Sequence, residues 1–302
     1  MTAEATIEVL ITPRTRDLGD GFMVRRALPA SQRRLIGPFI FFDQMGPARF
    51  APGQGLDVRP HPHIGLSTVT YLFDGEIMHR DSLGTVQSIR PGEVNWMTAG
   101  RGILHQEMPQ GDAKGRMHGF QLWANLPSSL KMTAPCYQDV KAAEIPEIIE
   151  DDGTRVRVVC GEFFGKRSPV EGVAADPRYL DIWVPPGVRK TLPVELERHA
   201  FAYVFEGSGD FRGSSQPFGV LTEKTNGANE TLVREQTGNR SLVLFDSGDE
   251  VTVQAGDEGI RFLLVSGKPI EEPVAWYGPI VMNTEAELQQ AFGELRVGTF
   301  IR

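Results

Sequence analysis

Cysteine is nearly absent from this chain. Cys136 and Cys160 are the only two in 302 residues, too few for a disulfide framework and consistent with a reducing compartment. Long apolar runs are missing too: none approaches the ~18 residues a membrane helix needs. The opening stretch MTAEATIEVLITPRTRDLG lacks the charged-then-apolar plan of a secretory signal, so a cytoplasmic location with no membrane association is expected. Basic charge is in deficit, with 31 Lys and Arg against 39 Asp and Glu and a formal net charge of -8. That balance argues against direct nucleic-acid binding over a broad surface, and Arg25, Arg26, Arg33 and Arg34 read as solvated surface groups. Amphipathic helical patterns are scarce. The clearest one is terminal, where Thr284 and Glu287 form a capping box ahead of LQQAF.

What the chain has in quantity is turn residues, with 33 glycines and 21 prolines spread throughout. They punctuate short apolar runs such as PFIFFD, STVTYLF, DIWVP, AYVFEG and SLVLFDSG, the pattern of short strands in a sandwich or barrel. An internal repeat sets the organisation. Tyr71-Leu72-Phe73-Asp74-Gly75 is echoed by Tyr203-Val204-Phe205-Glu206-Gly207. Pro91-Gly92-Glu93-Val94 and Ala99-Gly100-Arg101-Gly102-Ile103 are echoed by Ser247-Gly248-Asp249-Glu250-Val251 and, with one residue inserted, by Ala255-Gly256-Asp257-Glu258-Gly259-Ile260. The expected fold is therefore all-β, two similar barrels in tandem with a short C-terminal helix. Residues 1–141 would form the first barrel, the acidic, proline-interrupted residues 142–153 a linker, and residues 154–302 the second barrel with the helix.

Five of the six histidines lie between residues 61 and 118. Two short pairs stand out, His61-Pro62-His63 and His105-Gln106-Glu107. On a strand, residues i and i+2 share a face, so each pair aims two donors in one direction. Facing strands would close three imidazoles and one carboxylate on a single cation. Pro62 between two ligands suits a strand edge or entrance. His79 and His199, taken singly, read as ordinary surface or satisfied core groups. The repeat supplies a control: the Tyr71/Tyr203 match places His61 and His63 on Pro193 and Glu195, and the Ile103/Ile260 match places His105 and Glu107 on Phe262 and Leu264. The second barrel keeps the turns and has lost each of these four candidate ligands.

Three neutral nitrogens and one carboxylate, without thiolate, suit a catalytic transition metal better than structural zinc. Iron(II) fits best, and Mn, Ni, Cu, Co or Zn are also compatible with these donors. On a six-coordinate ion two positions stay open, and the residual positive charge favours an anionic oxygen donor such as an enolate or phenolate.

At these residues the chain resembles the pirin family of the cupin superfamily. The resemblance rests on RPHPHIGLSTVTYLFDGEIMHRDSLG (59–84), IRPGEVNWMTAGRGILHQEMP (89–109), HGFQLWANLP (118–127) and WYGPIVMNT (276–284). It implies a bicupin of two jelly-roll barrels, with one iron in the first held by His61, His63, His105 and Glu107. Some pirins resemble quercetinases, which open a flavonol ring with dioxygen and release carbon monoxide and a depside. Others act in animal nuclei as iron-dependent transcriptional coregulators, and bacterial relatives have been linked to metabolic enzymes. Many pirins read His-Pro-His-Arg-Gly-Phe-Glu where this chain has Ile64, Gly65, Leu66 and Ser67 after His63, a loss of one cation and one carboxylate near the site.

The resemblance carries further expectations. Glu107 would act as the proton acceptor from the substrate hydroxyl, making it the catalytic residue. Asp43 would accept a ligand ring N–H or line the pocket, or else cap the turn after FFD. Gln121 matches a pocket position, and His118, three residues earlier, should point to the opposite face. Met97, Phe73 and Trp123 are candidate cavity walls or core. The expected partners are a small aromatic substrate and dioxygen, with the chain a monomer. The alternative is a non-catalytic iron or redox sensor that binds a protein partner.

Overall fold

The computed structural model describes residues 5–11, 13–17, 22–51, 54–212, 220–223, 231–234, 237–238 and 240–301. The all-β expectation holds, with two cupin-type barrels and one α-helix among the described residues, Glu285–Val297. No described helix is long and apolar enough to cross a membrane.

The first barrel is a pair of antiparallel sheets. Its larger sheet has seven strands in the order Cys136–Val140, Val94–Thr98, Leu66–Asp74, Arg116–Asn125, Phe39–Arg49, Met23–Leu28 and Arg14–Asp17. Its smaller sheet runs Val58–His63, Ile103–Gln110, Glu76–Asp81 and Val86–Ile89. Val58–His63 is thus an edge strand, where the missing N–H groups of Pro60 and Pro62 leave no gap inside a ladder. Val24, Met45, Leu72, Ile77, Ile89 and Met117 form one buried apolar cluster, while four of the polar donors sit on strands Val58–His63 and Ile103–Gln110.

The second barrel is built on one large sheet in which two long bent strands, His199–Arg212 and Glu250–Gly267, pair over most of their length. Among the described residues its main core cluster is apolar, and includes Val156, Leu180, Ile182, Phe262 and Leu264. The last two sit at the repeat positions of His105 and Glu107. At these two positions apolar packing stands where the first barrel has His105 and Glu107.

The partition of the chain differs from the one read off the sequence. One compact unit contains Met1–Arg14, Ala30–Gly37 and Ile145–Pro269, and the other Thr15–Pro29, Pro38–Glu144 and Ile270–Arg302. Part of the expected linker is a strand, Glu147–Ile149, paired with Arg155–Cys160 and packing Ile148 on the second barrel's core. Strand Ile7–Ile11 pairs with Ser241–Phe245 and so belongs to the second barrel. The C-terminal helix, expected with the second barrel, belongs to the first. Leu288 and Ala291 bury against Ile64, Ile280, Met282 and Phe300, a burial stronger than any connection by sequence proximity.

The helix end itself is local chemistry. Thr284 accepts from the Glu287 amide at 3.2 Å, Glu287 accepts from the Thr284 amide at 2.9 Å, and Gly298 closes the other end at φ 74°. What fastens the segment to the barrel is Lys131. Its buried ammonium donates to the carbonyls of Gly65 and Val281, each at 3.0 Å, and to Asn125 Oδ1 at 2.8 Å. Burial lowers its pKa to about 8, so at neutral pH it keeps three protons for three acceptors. Gly65, at φ +74°, stands where any Cβ would collide with the Val281 carbonyl. The tail is thereby seated directly behind His63.

Candidate metal centre

The two histidine pairs meet because their strands pair. His105 stands opposite His61 and Ile103 opposite His63 in an antiparallel register. The ring centroids are 4.3 Å apart for His61 and His105, 5.0 Å for His61 and His63, and 4.9 Å for His63 and His105. His63 and His105 are buried at 1% and 3% exposure, while His61 lies part-exposed at the mouth of a cavity. One ligand atom from each of the three rings falls within a common 4.8 Å.

The register shifts between His105 and Glu107, so that Glu107 faces Val58. Such a bulge re-aims the side chains beyond it. The Glu107 carboxylate accordingly comes within 4.8 Å of ligand atoms of His79 and His105, a second set that shares only His105 with the first. The four side chains singled out in the sequence are brought together, but not into a single tight quartet. Glu107 also lines the cavity beside His61, where Gln121 Nε2 donates to its two oxygens at 3.3 and 3.4 Å.

The donors suit a cation. His61 Nδ1 lies 2.9 Å from the Arg59 carbonyl, an acceptor only, so that nitrogen carries a proton and Nε2 is the one turned toward the cluster. His61 Nε2 is 2.9 Å from His105 Nε2. Nitrogens bound about 2.0–2.1 Å from one ion at right angles stand roughly 2.9 Å apart, so the spacing matches a shared ion. His63 Nδ1 is buried without a hydrogen-bond partner. Burial first, then the neighbouring rings, holds His63 and His105 well below the usual imidazole range, so both are neutral and able to ligate.

This has a measurable cost in acid. The unfolded rings take up protons below about pH 6.5, whereas the buried rings refuse them. Stability of the metal-free protein is complete above that pH and falls as the pH drops below it, at up to about 1.4 kcal/mol per ring per pH unit. Urea unfolding at pH 7.5 and 5.5 should show this loss, reduced in a protein carrying His63→Gln and His105→Gln. An equal loss in that double variant would assign the acid sensitivity to other groups.

The cavity has a volume of about 800 Å³. Phe41 and Trp123 stack in its wall with centroids 4.1 Å apart, and Trp123 also meets His63 edge-on at 4.9 Å. Asp43 lines it directly across the ladder from Gln121. Asp43 accepts from Arg26 at 2.9 and 2.7 Å rather than from a histidine ring. Burial raises the Asp43 pKa against the opposing pull of that guanidinium. Arg26, read as solvated, instead lies over Phe41 at 4.3 Å and lines the cavity. Trp276, Gly278 and Pro279 of the returning tail complete the wall. His118 sits on the other face, 2.9 Å from Gln44 and against Phe73 and Phe120. Met97 is core.

From the sequence His79, taken singly, reads as a surface or satisfied core group. It is buried, its Nδ1 is 3.3 Å from His105 Nδ1, and its Nε2 is 3.0 Å from the Tyr137 hydroxyl. The i, i+2 rule that singled out His61 and His63 applies equally to His79 and Asp81, and could have found them. His199 lies in the second barrel, where no comparable donor cluster occurs among the described residues.

Comparison with known proteins agrees with this layout. The Pirin family profile matches residues 21–124, and the Pirin C-terminal cupin domain profile matches residues 179–301. A pirin-like protein of Caulobacter vibrioides is 45% identical over 299 residues, covering 97% of this chain and 94% of its own length. The crystal structure of a quercetin 2,3-dioxygenase from Acinetobacter baumannii is 31% identical, with a TM-score of 0.85 and 99% of both chains covered. The bacterial pirin YhhW of Escherichia coli, solved in complex with nickel(II), shares the fold at 17% identity and a TM-score of 0.62, over 87% of this chain and 99% of its own.

Proposed function

The chain belongs to the pirin family, and from that premise we propose that it is an iron(II)-dependent dioxygenase that opens the ring of a flavonol such as quercetin. One observation carries the reading: a cluster of three imidazoles, with a carboxylate beside it, adjoins an aromatic-lined cavity of about 800 Å³ whose wall includes His61 and Glu107. The likeness to the Acinetobacter enzyme supports the same chemistry.

His61, His63 and His105 would hold the ion, with Glu107 as fourth donor or proton acceptor. When bound, the metal supplies Lewis acidity toward an oxygen donor and a redox partner for dioxygen. The chain's own residues do the rest. Phe41 and Trp123, stacked on each other, line the cavity with aromatic surface against which a planar aromatic can pack. Glu107, steadied by Gln121, stands at the cavity wall as a base for the substrate hydroxyl proton. Arg26 is tied to Asp43, which fixes one charged group of the cavity wall.

The test is oxygen uptake by the iron-reconstituted protein with quercetin, alongside metal analysis. One dioxygen consumed per flavonol lost supports the assignment. A full complement of iron with no uptake above that of free iron, across a panel of enolisable aromatics, would overturn it and favour a metal-sensing role.

A further inference from the structure

Behind His105 lies a line of polar groups that the chemistry above does not use. His79 and Asp81 project from one face of strand Glu76–Asp81, and Tyr137 reaches them from strand Cys136–Val140. Asp81 Oδ1 accepts from the Leu83 and Thr85 amides at 2.7 and 3.0 Å. Asp81 Oδ2 accepts from the Tyr137 hydroxyl. Burial pushes the Asp81 carboxyl up, but Tyr137 and those amides together hold it below its usual range. It is therefore an ionised group that can only accept.

Direction follows by elimination. The single Tyr137 proton is committed to Asp81, so the Tyr137 oxygen can only accept from His79 Nε2, 3.0 Å away. In a singly protonated ring, a proton on Nε2 leaves Nδ1 as an acceptor. That atom faces His105 Nδ1 at 3.3 Å, which must then carry the N–H. His105 Nε2 is left with its lone pair pointing at His61. We propose that Asp81, Tyr137 and His79 are positioning residues that lock His105 as the Nδ1–H tautomer, presenting a metal-ready nitrogen before any ion binds. The inference rests on the metal-centre reading above for its purpose, but not for its geometry.

Asp81→Asn is the sharpest test. Its Oδ1 would keep the two amide contacts, while the new amide N–H₂ donates to the Tyr137 oxygen and reverses every bond in the line. Long-range ¹H–¹⁵N correlation spectra of the metal-free protein read the tautomer directly. In the wild type, His105 should be protonated on Nδ1; in Asp81→Asn, on Nε2. Cobalt(II) affinity should fall roughly 10–100-fold, as outer partners of ligating histidines typically cost, with the thermal midpoint of the metal-free protein little changed. Should Asp81→Asn not fold, Tyr137→Phe should give a mixed His105 tautomer. A wild-type His105 protonated on Nε2, or an unchanged tautomer in the variant that folds, would overturn the proposal. Failure of the wild type to bind cobalt(II) would instead count against the metal centre itself and leave the tautomer result to stand separately.

Discussion

A His105→Ala protein is expected to lose its metal and, with it, all turnover. His105 is the one side chain common to both donor sets. Its Nε2 faces His61 at 2.9 Å and its Nδ1 faces His79 at 3.3 Å. Truncation removes a ligand and also strands the polar line behind it, so affinity should fall well beyond the roughly 10–100-fold that an outer partner costs, on the order of a thousandfold. The Trp123 indole, 4.9 Å from His63, provides a fluorescence signal for titrating a paramagnetic ion. Saturable quenching in the wild type and none in His105→Ala is the expected pair of results. Wild-type affinity in the variant would remove His105 from the centre.

Glu107→Gln is expected to separate binding from turnover. The three rings form a donor set without the carboxylate, so the variant should retain the ion. It should also retain the flavonol, because the stacked wall of Phe41 and Trp123 is untouched. What it loses is the proton acceptor, whose contribution is typically ~10²–10⁴-fold. Oxygen uptake should drop by that factor while flavonol binding, followed by absorbance, stays within a few-fold. Undiminished uptake would place the base elsewhere.

Much of this was legible in the residues because it is governed by local rules. Strand periodicity placed His61 and His63 on one face, and the edge position tolerates Pro62. The turn-for-turn repeat called for two barrels, and Thr284 with Glu287 marked the start of the helix. Other features depend on contacts between residues far apart in the chain. A capping box says where a helix begins, but not that Leu288 will bury beside Ile64. Nothing local distinguishes Arg26, an ion-pair partner of Asp43 in a cavity wall, from a solvated arginine. The bulge that turns Glu107 away from the three-histidine set appears only once the strands are paired. His79 is the exception: the spacing that revealed it was there to be read.

The exchange of end segments governs the order in which the protein can be finished during synthesis. Domains generally complete themselves as they leave the ribosome, the leading one first. Here the wall residues Trp276, Gly278 and Pro279 and the Lys131 acceptor at Val281 follow the second barrel's Ile145–Pro269 in the chain. The half that carries the donors must therefore wait, unsealed, until the trailing half has been translated. Severing the chain between Glu144 and Ile145 would yield two incomplete pieces, not two independent barrels.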